Sequence, residues 1–132
     1  MKLVLHVDGG ARGNPGPAAI GVVISHPDGS VVDELAERIG TATNNVAEYR
    51  AVLRALERAK ELEADEVEII GDSQLIARQL NGVYKVKHPA MRPLYEQARA
   101  ALAGFGQWRF RTVPRAQNAH ADALVNAALD AA

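Results

Sequence analysis

The chain contains no cysteine. That absence removes disulfide staples, thiolate metal sites, cysteine nucleophiles and thiol redox chemistry. It fits a reducing compartment, and a cytoplasmic location is the expectation. An excess of basic charge is missing too: 15 Lys and Arg stand against 16 Asp and Glu, a net of −1. Proteins that hold nucleic acid by bulk electrostatics carry a visible cationic surplus. Contact with a polyanion must therefore come from a local patch or through a bound cation. No apolar run approaches the ~20 residues of a membrane span, so no membrane partner is expected. The opening stretch meets Asp8, Gly9 and Gly10 too early for a signal-peptide apolar core.

What is present reads as one globular domain over residues 1–132, with 48% apolar and 23% charged residues. A chain of this size buries roughly two thirds of the surface that its unfolded form exposes. Residues 2–8 are aliphatic and β-branched and run into a Gly-rich turn, which predicts a strand. A second strand is predicted over 18–26, then a Pro27-Asp28-Gly29-Ser30 turn and a third strand over about 31–38. Thr43 or Asn44 supplies an N-cap, and Val46, Ala47, Val52, Leu53, Ala55, Leu56, Ala59 and Leu62 keep helical spacing behind it. A short strand at 67–71 and a helix over 72–81 follow. Beyond Asn81-Gly82 come a helix to about 103, a strand at about 107–113 and a last helix at 117–130. The order βββαβααβα predicts an α/β domain: three antiparallel strands, then parallel ones. No internal repeat or linker interrupts it.

Four acids fall at the junctions of these elements. Asp8 closes the first strand, Glu48 lies in the first turns of the first long helix, Asp72 joins a strand to a helix, and Asp122 opens the last helix. Ligands of open α/β sheets gather where strand ends meet helix N-termini. Converging carboxylates suit hard divalent cations, and two such cations can drive phosphoryl transfer. Acids near helix starts also serve the helix dipole, so position alone leaves both readings open for Glu48, Asp72 and Asp122. Asp8 has no helix to cap and is expensive to bury unpaired.

Four strings carry a resemblance across about 115 residues. They are Asp8-Gly9-Gly10-Ala11-Arg12-Gly13-Asn14-Pro15-Gly16-Pro17, Thr43-Asn44-Asn45-Val46-Ala47-Glu48-Tyr49, Asp72-Ser73-Gln74-Leu75 through Lys87, and Val113-Pro114-Arg115-Ala116-Gln117-Asn118-Ala119-His120-Ala121-Asp122. In this order they resemble the type 1 ribonuclease H family. The resemblance implies a five-stranded mixed sheet with helices on both faces. It implies hydrolysis of the RNA strand of an RNA–DNA hybrid, leaving 5′-phosphate and 3′-hydroxyl ends. Asp8, Glu48, Asp72 and Asp122 would hold two Mg²⁺ ions, with Mn²⁺ as a substitute. One ion would position and deprotonate the attacking water, and the other would stabilise the departing 3′-oxygen. Asn14, Asn44 and Gln74 match positions that touch the minor groove and ribose hydroxyls, and Thr43 matches a DNA-phosphate contact. Gly9 and Asn118 join these as substrate-binding candidates.

Between residues 73 and 95 the charges are Arg78, Lys85, Lys87 and Arg92, with no acid. This local excess resembles a shortened form of the family's basic protrusion, which implies modest, strongly salt-dependent hybrid affinity. Many members carry a flexible His-containing loop before the last helix. Here Thr112–Asn118 is short, stiffened by Pro114 and free of His. Arg115 is the candidate replacement, a fixed positive charge near the scissile phosphate that cannot act as a general base. His120 is the competitor, but two residues from Asp122 on a helix it sits about 200° round. His6 shares a strand face with Asp8, His26 sits at a turn, and Trp108 and Phe110 are expected to pack. The alternatives to a hybrid endonuclease are a non-catalytic module that binds hybrid or duplex RNA, and a nuclease of similar fold acting on DNA junctions or as an integrase. The intact four acids and the Thr-Asn-Asn and Asp-Ser-Gln strings oppose them. The chain ends just after a predicted helix, leaving open a small monomeric enzyme or a domain of a fusion.

Overall fold

Along the first strand Leu3, Leu5 and Val7 are buried, while Lys2, Val4 and His6 between them stay partly open. This period of two commits one face of the strand to a helix layer. A computed structural model describes residues 1–131. Its elements are β1 (Lys2–Ala11), β2 (Gly16–Ser25), β3 (Val31–Ala42), α1 (Asn44–Glu61), β4 (Glu66–Gly71), α2 (Gln74–Leu80), α3 (Arg92–Ala103), β5 (Gln107–Thr112) and α4 (Ala119–Asp130), with a 3₁₀ turn at Arg115–Asn118 before α4. The strands form one five-stranded sheet in the order β3-β2-β1-β4-β5. β1 pairs antiparallel with β2 and β2 with β3, whereas β1 with β4 and β4 with β5 are parallel. The expected mixed sheet is present.

Several boundaries differ from the sequence reading, each for a local reason. β1 does not close at Asp8: Gly9 and Gly10 continue the ladder against Ile20 and Ala19. What ends near Asp8 is the other neighbour, since pairing of β1 with β4 stops at His6–Ile70. β3 runs to Ala42 rather than about residue 38. A bulge at Ile39-Gly40, with Gly40 at φ 81°, lets the strand bend and carry on. The last helix starts at Ala119, because Pro114 and the 3₁₀ turn occupy the residues before it.

The main core lies on the α1 face. Leu3, Leu5, Val7, Ile20, Val22, Ile24 and Ile69 meet Val52, Ala55, Leu56 and Ala59 of α1 and Ala98 and Leu102 of α3, all nearly fully buried. Each large aliphatic buried there contributes roughly 1.5–3 kcal/mol. Phe110 is buried and Trp108 packs beside it, as their alternation predicts. Buried Tyr49 donates its hydroxyl to Gln79 Oε1 at 2.5 Å, tying α1 to α2 without leaving a polar group unpaired. A smaller cluster of Ala19, Val125 and Ala128 fixes α4 to the opposite face.

Two glycines set how close these helices come. A Cβ on Gly9 would lie 2.3 Å from the carbonyl carbon and oxygen of Ala47 in α1. A Cβ on Gly21 would lie 2.3 Å from the carbonyl oxygen of Ala121 in α4. Overpacking of this kind costs about 1–3 kcal/mol. Gly9→Ala and Gly21→Ala are therefore expected to lower the unfolding free energy in urea by that amount, and the midpoint with it. Gly10→Ala, whose Cβ would meet Val125 Cγ1 at an ordinary 3.6 Å, should stay within about 0.5 kcal/mol of the parent. Equal midpoints for all three variants would show that the helices are not seated on those glycines.

Candidate active site

β1 presents Asp8 where it has lost β4 as a neighbour, so a gap opens beside the strand. Three elements fill that gap. Thr43 caps α1 through its Oγ1, accepting from Val46 N–H at 3.2 Å, and the first turns of the helix carry Glu48 over Gly9. Asp72 follows directly on Gly71, the last residue of β4, and Ser73 caps α2 by accepting from Ile76 N–H at 3.3 Å. α4 brings Asp122 from the other face, over Gly21, which pairs with Asp8 in register. Carboxylate oxygens of Asp8, Glu48 and Asp72 all lie within 4.8 Å of one another. Asp122 lies near enough to Asp8 to raise its pKa.

Crowding shows in the proton affinities. Asp8, 4% exposed, is pushed up to about 7, first by burial, then by the charge of Asp72 and by Asp122. Glu48 is held well above the ordinary carboxylate range by burial and by Asp8 and Asp72, against relief from Arg115 and the Gly9 N–H. Arg115 donates from Nε to Asp72 Oδ2 at 3.2 Å, while its own side chain is 77% exposed. Its pKa rises chiefly through the charge of Asp72. The donor set is oxygen only, anionic, and short of positive charge. Such a site fits Mg²⁺ or Mn²⁺, and cations would relieve the repulsion that burial has built up.

The surroundings match known proteins closely. A family profile described as reverse transcriptase-like matches residues 6–128. The ribonuclease HI of Halobacterium salinarum is 49% identical over 125 residues, 95% of this chain and 63% of that protein. The crystal structure of RNase H1 from the same archaeon superposes with a TM-score of 0.97 at 47% identity, covering 100% of both chains. The chain belongs to the type 1 ribonuclease H family.

Other family members agree. A bifunctional protein of Mycobacterium tuberculosis is 48% identical over 133 residues, 100% of this chain but 36% of that protein. The chain thus spans under two thirds of these relatives' length. The crystal structure of an RNase H1 named LC11, in complex with an RNA/DNA hybrid, matches with a TM-score of 0.91 at 45% identity, covering 97% and 96% of the two chains.

Within this ribonuclease H fold the other expected residues separate into two groups. Asn14, Asn44 and Gln74 are exposed around the acids. Asn14 Oδ1 accepts from Asn44 N–H at 3.0 Å, and Asn44 Oδ1 accepts from Ala11 N–H at 2.9 Å. Both oxygens are occupied within the protein, so what each offers a ligand is its amide N–H₂. Thr43 keeps its hydroxyl hydrogen for a ligand while its oxygen caps α1. Gly9 and Asn118, also expected among the substrate contacts, make close contacts within the protein. Gly9 is buried under Ala47, and its N–H faces Glu48. Asn118 is 2% exposed and donates from Nδ2 to the Val7 carbonyl at 2.8 Å, bracing β1 just before Asp8. His120 points away from the acids as its helical position predicts, and its Nε2 meets Glu34 Oε1 at 2.8 Å. Sequence reading missed Asn126, whose Nδ2 lies 3.4 Å from Asp122 Oδ2; its spacing of four on a helix was the available signal. It also missed the Arg12–Asp130 ion pair at 2.6 Å, for which no local pattern exists.

The raised Asp8 value predicts a pH effect on the metal-free protein. Folded, Asp8 keeps its proton to about pH 7; its ordinary value is 3.8. Between these the native state binds more protons than the unfolded one, so stability falls as pH rises through that window, at up to about 1.4 kcal/mol per pH unit. Glu48 acts in the same direction, and His6, lowered by burial, acts in the opposite one. In EDTA the melting temperature is expected to be lower at pH 8 than at pH 5, and Asp8→Asn should remove most of Asp8's share of the drop. An Asp8→Asn variant with the parent's full pH slope would contradict the assignment.

Proposed function

We propose that this chain hydrolyses the RNA strand of RNA–DNA hybrids in a divalent-cation-dependent reaction, leaving 5′-phosphate and 3′-hydroxyl ends. The observation that carries this reading is the cluster of Asp8, Glu48 and Asp72 within 4.8 Å, with Asp122 near Asp8, flanked by outward amide donors. The hybrid bound to the LC11 relative supports the choice of substrate. When bound, two Mg²⁺ or Mn²⁺ ions supply activation of the attacking water and relief of charge at the departing 3′-oxygen.

The residues do the rest. Asp8, Glu48, Asp72 and Asp122 would hold the cations, and Asp8, raised to about 7, would have to be ionised to serve as a ligand. The minor groove of an A-like duplex displays ribose 2′-hydroxyls and base acceptors. Asn14 and Asn44 present N–H₂ groups fixed by bonds through their oxygens, and Gln74 does so from the first turn of α2. A deoxyribose leaves such a donor without its hydroxyl partner, which costs about 1–3 kcal/mol per contact. Arg115 reaches over Asp72 with its guanidinium in solvent, where it meets the scissile phosphate or the departing product. The exposed Lys85 and Lys87 add phosphate contacts, whereas Arg78 is partly committed to Tyr84, stacking at 5.4 Å and donating to its hydroxyl at 2.7 Å.

With Mg²⁺, a labelled hybrid should be cut while duplex DNA of the same sequence stays intact, and EDTA should abolish cleavage. Asp72→Asn should lose about a hundredfold or more in rate with the fold retained. Hybrid binding without cleavage would move the chain to the non-catalytic module; comparable cutting of duplex DNA would move it to the junction-nuclease class. Arg115→Ala is expected to lower kcat about tenfold or more, well beyond its loss of hybrid affinity. His120→Ala, held off at Glu34, should change little. A large kcat loss in His120→Ala alone would reverse the two roles.

A further inference from the structure

Three of the four acids are fixed by neighbouring elements. Asp8 is 4% exposed in the β1–β2 ladder, Glu48 takes the Gly9 N–H, and Asp72 accepts from Arg115 at 3.2 Å. Asp122 stands on α4 and is only partly buried. The donor that reaches it is Asn126, one helical turn on, from Nδ2 to Oδ2 at 3.4 Å.

Helix geometry accounts for this contact. Side chains of an α-helix lean toward its N-terminus, so a residue four positions on lies over the turn that carries Asp122. α4 is held against rolling out of this register. Ala121 and Val125 are buried on the sheet side, the Ala121 carbonyl lies over Gly21, and Arg12 pairs with Asp130 at the far end. Asp122 and Asn126 therefore share the wall of one cavity with Asp8, Glu48 and Arg115.

Nothing in helix formation favours Asn at this place. The side chain is exposed, the helix is rich in Ala, and Asn ranks well below Ala as a helix former. Its chemistry suits the cleft instead. A neutral amide donates to one carboxylate oxygen and leaves Asp122 its full negative charge. A second cationic side chain, added to Arg115, would compete with a metal for the acids.

We propose that Asn126 is a positioning residue, which holds the Asp122 carboxylate toward the cleft as a ligand for a divalent cation. This rests on the reading of the four acids as cation ligands. Fixing a ligand before the metal arrives lowers the ordering cost of binding. Loss of such an outer partner typically weakens metal binding about 10- to 100-fold, and a long, exposed bond belongs at or below the low end of that range.

The test is Mn²⁺ binding to the metal-free chain, followed by the EPR signal of the free ion with no hybrid present. Asn126→Ala is expected to weaken Mn²⁺ about five- to tenfold. Its melting temperature in EDTA should equal or exceed the parent's, because Ala is the better helix former. A side chain that merely braced the fold would lower both together. Asn126→Gln, which keeps the amide and can span the same turn, should stay within about twofold of the parent. In an Asp122→Asn background, Asn126→Ala should cost nothing further, since the bonded carboxylate is gone. With hybrid present, the Mg²⁺ concentration giving half the maximal rate should rise by the same factor at an unchanged hybrid KM. Parent-level Mn²⁺ affinity in Asn126→Ala, or a full loss that persists in the Asp122→Asn background, would overturn the proposal and leave the cation reading intact. A parent chain that binds no Mn²⁺ would overturn that reading as well.

Discussion

At Gly9 and Gly21 two helices approach the sheet from opposite faces more closely than any side chain would allow. The rest of the site depends on this. Neighbouring residues of a strand point to opposite faces, so Gly9 opens the α1 side while Asp8 and its register partner Gly21 lie on the α4 side. With Cβ atoms at these two positions the helices would ride higher, and Glu48 and Asp122 would no longer meet the carboxylate between them. Loss of β4 pairing after His6–Ile70 supplies the gap in which they meet, and β4 itself delivers Asp72 from its tip. The four acids are thus positioned by backbone contact and ladder geometry rather than by flexible loops, which is how a site holds its geometry without a ligand.

That arrangement stores repulsion. Buried Asp8, beside Asp72 and Asp122, holds a proton up to about pH 7, and Glu48, beside both Asp8 and Asp72, is pushed in the same direction. Arg115 and the Gly9 N–H offset part of this. The remainder is carried by the apolar layer on the α1 face, from Leu3, Leu5 and Val7 to Val52, Leu56 and Leu102. Concentrating packing on one face and charge at one end is the usual exchange of stability for function. The α4 side has a small core of Ala19, Val125 and Ala128. It is supplemented at the helix's end by Arg12 on Asp130 and Arg38 on the Ala131 carbonyl at 2.9 Å.

The parts of this design written in local patterns were legible in the sequence. Alternation in β1, the Thr43 cap, the helical spacing of α1 and the acids at element junctions all rest on contacts between near neighbours, which composition and period reveal. The strings around Asp8, Glu48, Asp72 and Asp122 added the family. What stayed hidden depends on distant pairing. Nothing near Asp8 says that β1 runs on to Ala11 against β2 while β4 stops short, because that is a property of two ladders. The contacts that Gly9 and Asn118 make within the protein were equally hidden. Their places are set by Ala47 and Val7, 38 and 111 residues away in sequence respectively. Gly21 offered no motif at all, yet it fixes the approach of α4.

The same geometry suits the proposed function, in which a chain with a net charge of −1 would face a polyanion. Four carboxylates at the centre of the cleft repel phosphate until cations occupy them, so the field at the reacting bond changes sign only in the loaded site. Around that centre the expected contacts are neutral: Asn14, Asn44, Gln74 and the Thr43 hydroxyl donate hydrogen bonds without adding charge. Neutral donors contribute nothing to counterion release, so in the proposed role they would discriminate ribose from deoxyribose without raising affinity for duplexes in general. The cationic residues stand further out, on the exposed segment that carries Lys85 and Lys87, and one of its arginines is drawn back onto Tyr84. In the proposed function, affinity would rest on a few peripheral charges and specificity on the amides near the acids. Under the proposed function, keeping the two apart would let the chain reject duplex DNA even where salt is low enough for both duplexes to reach it.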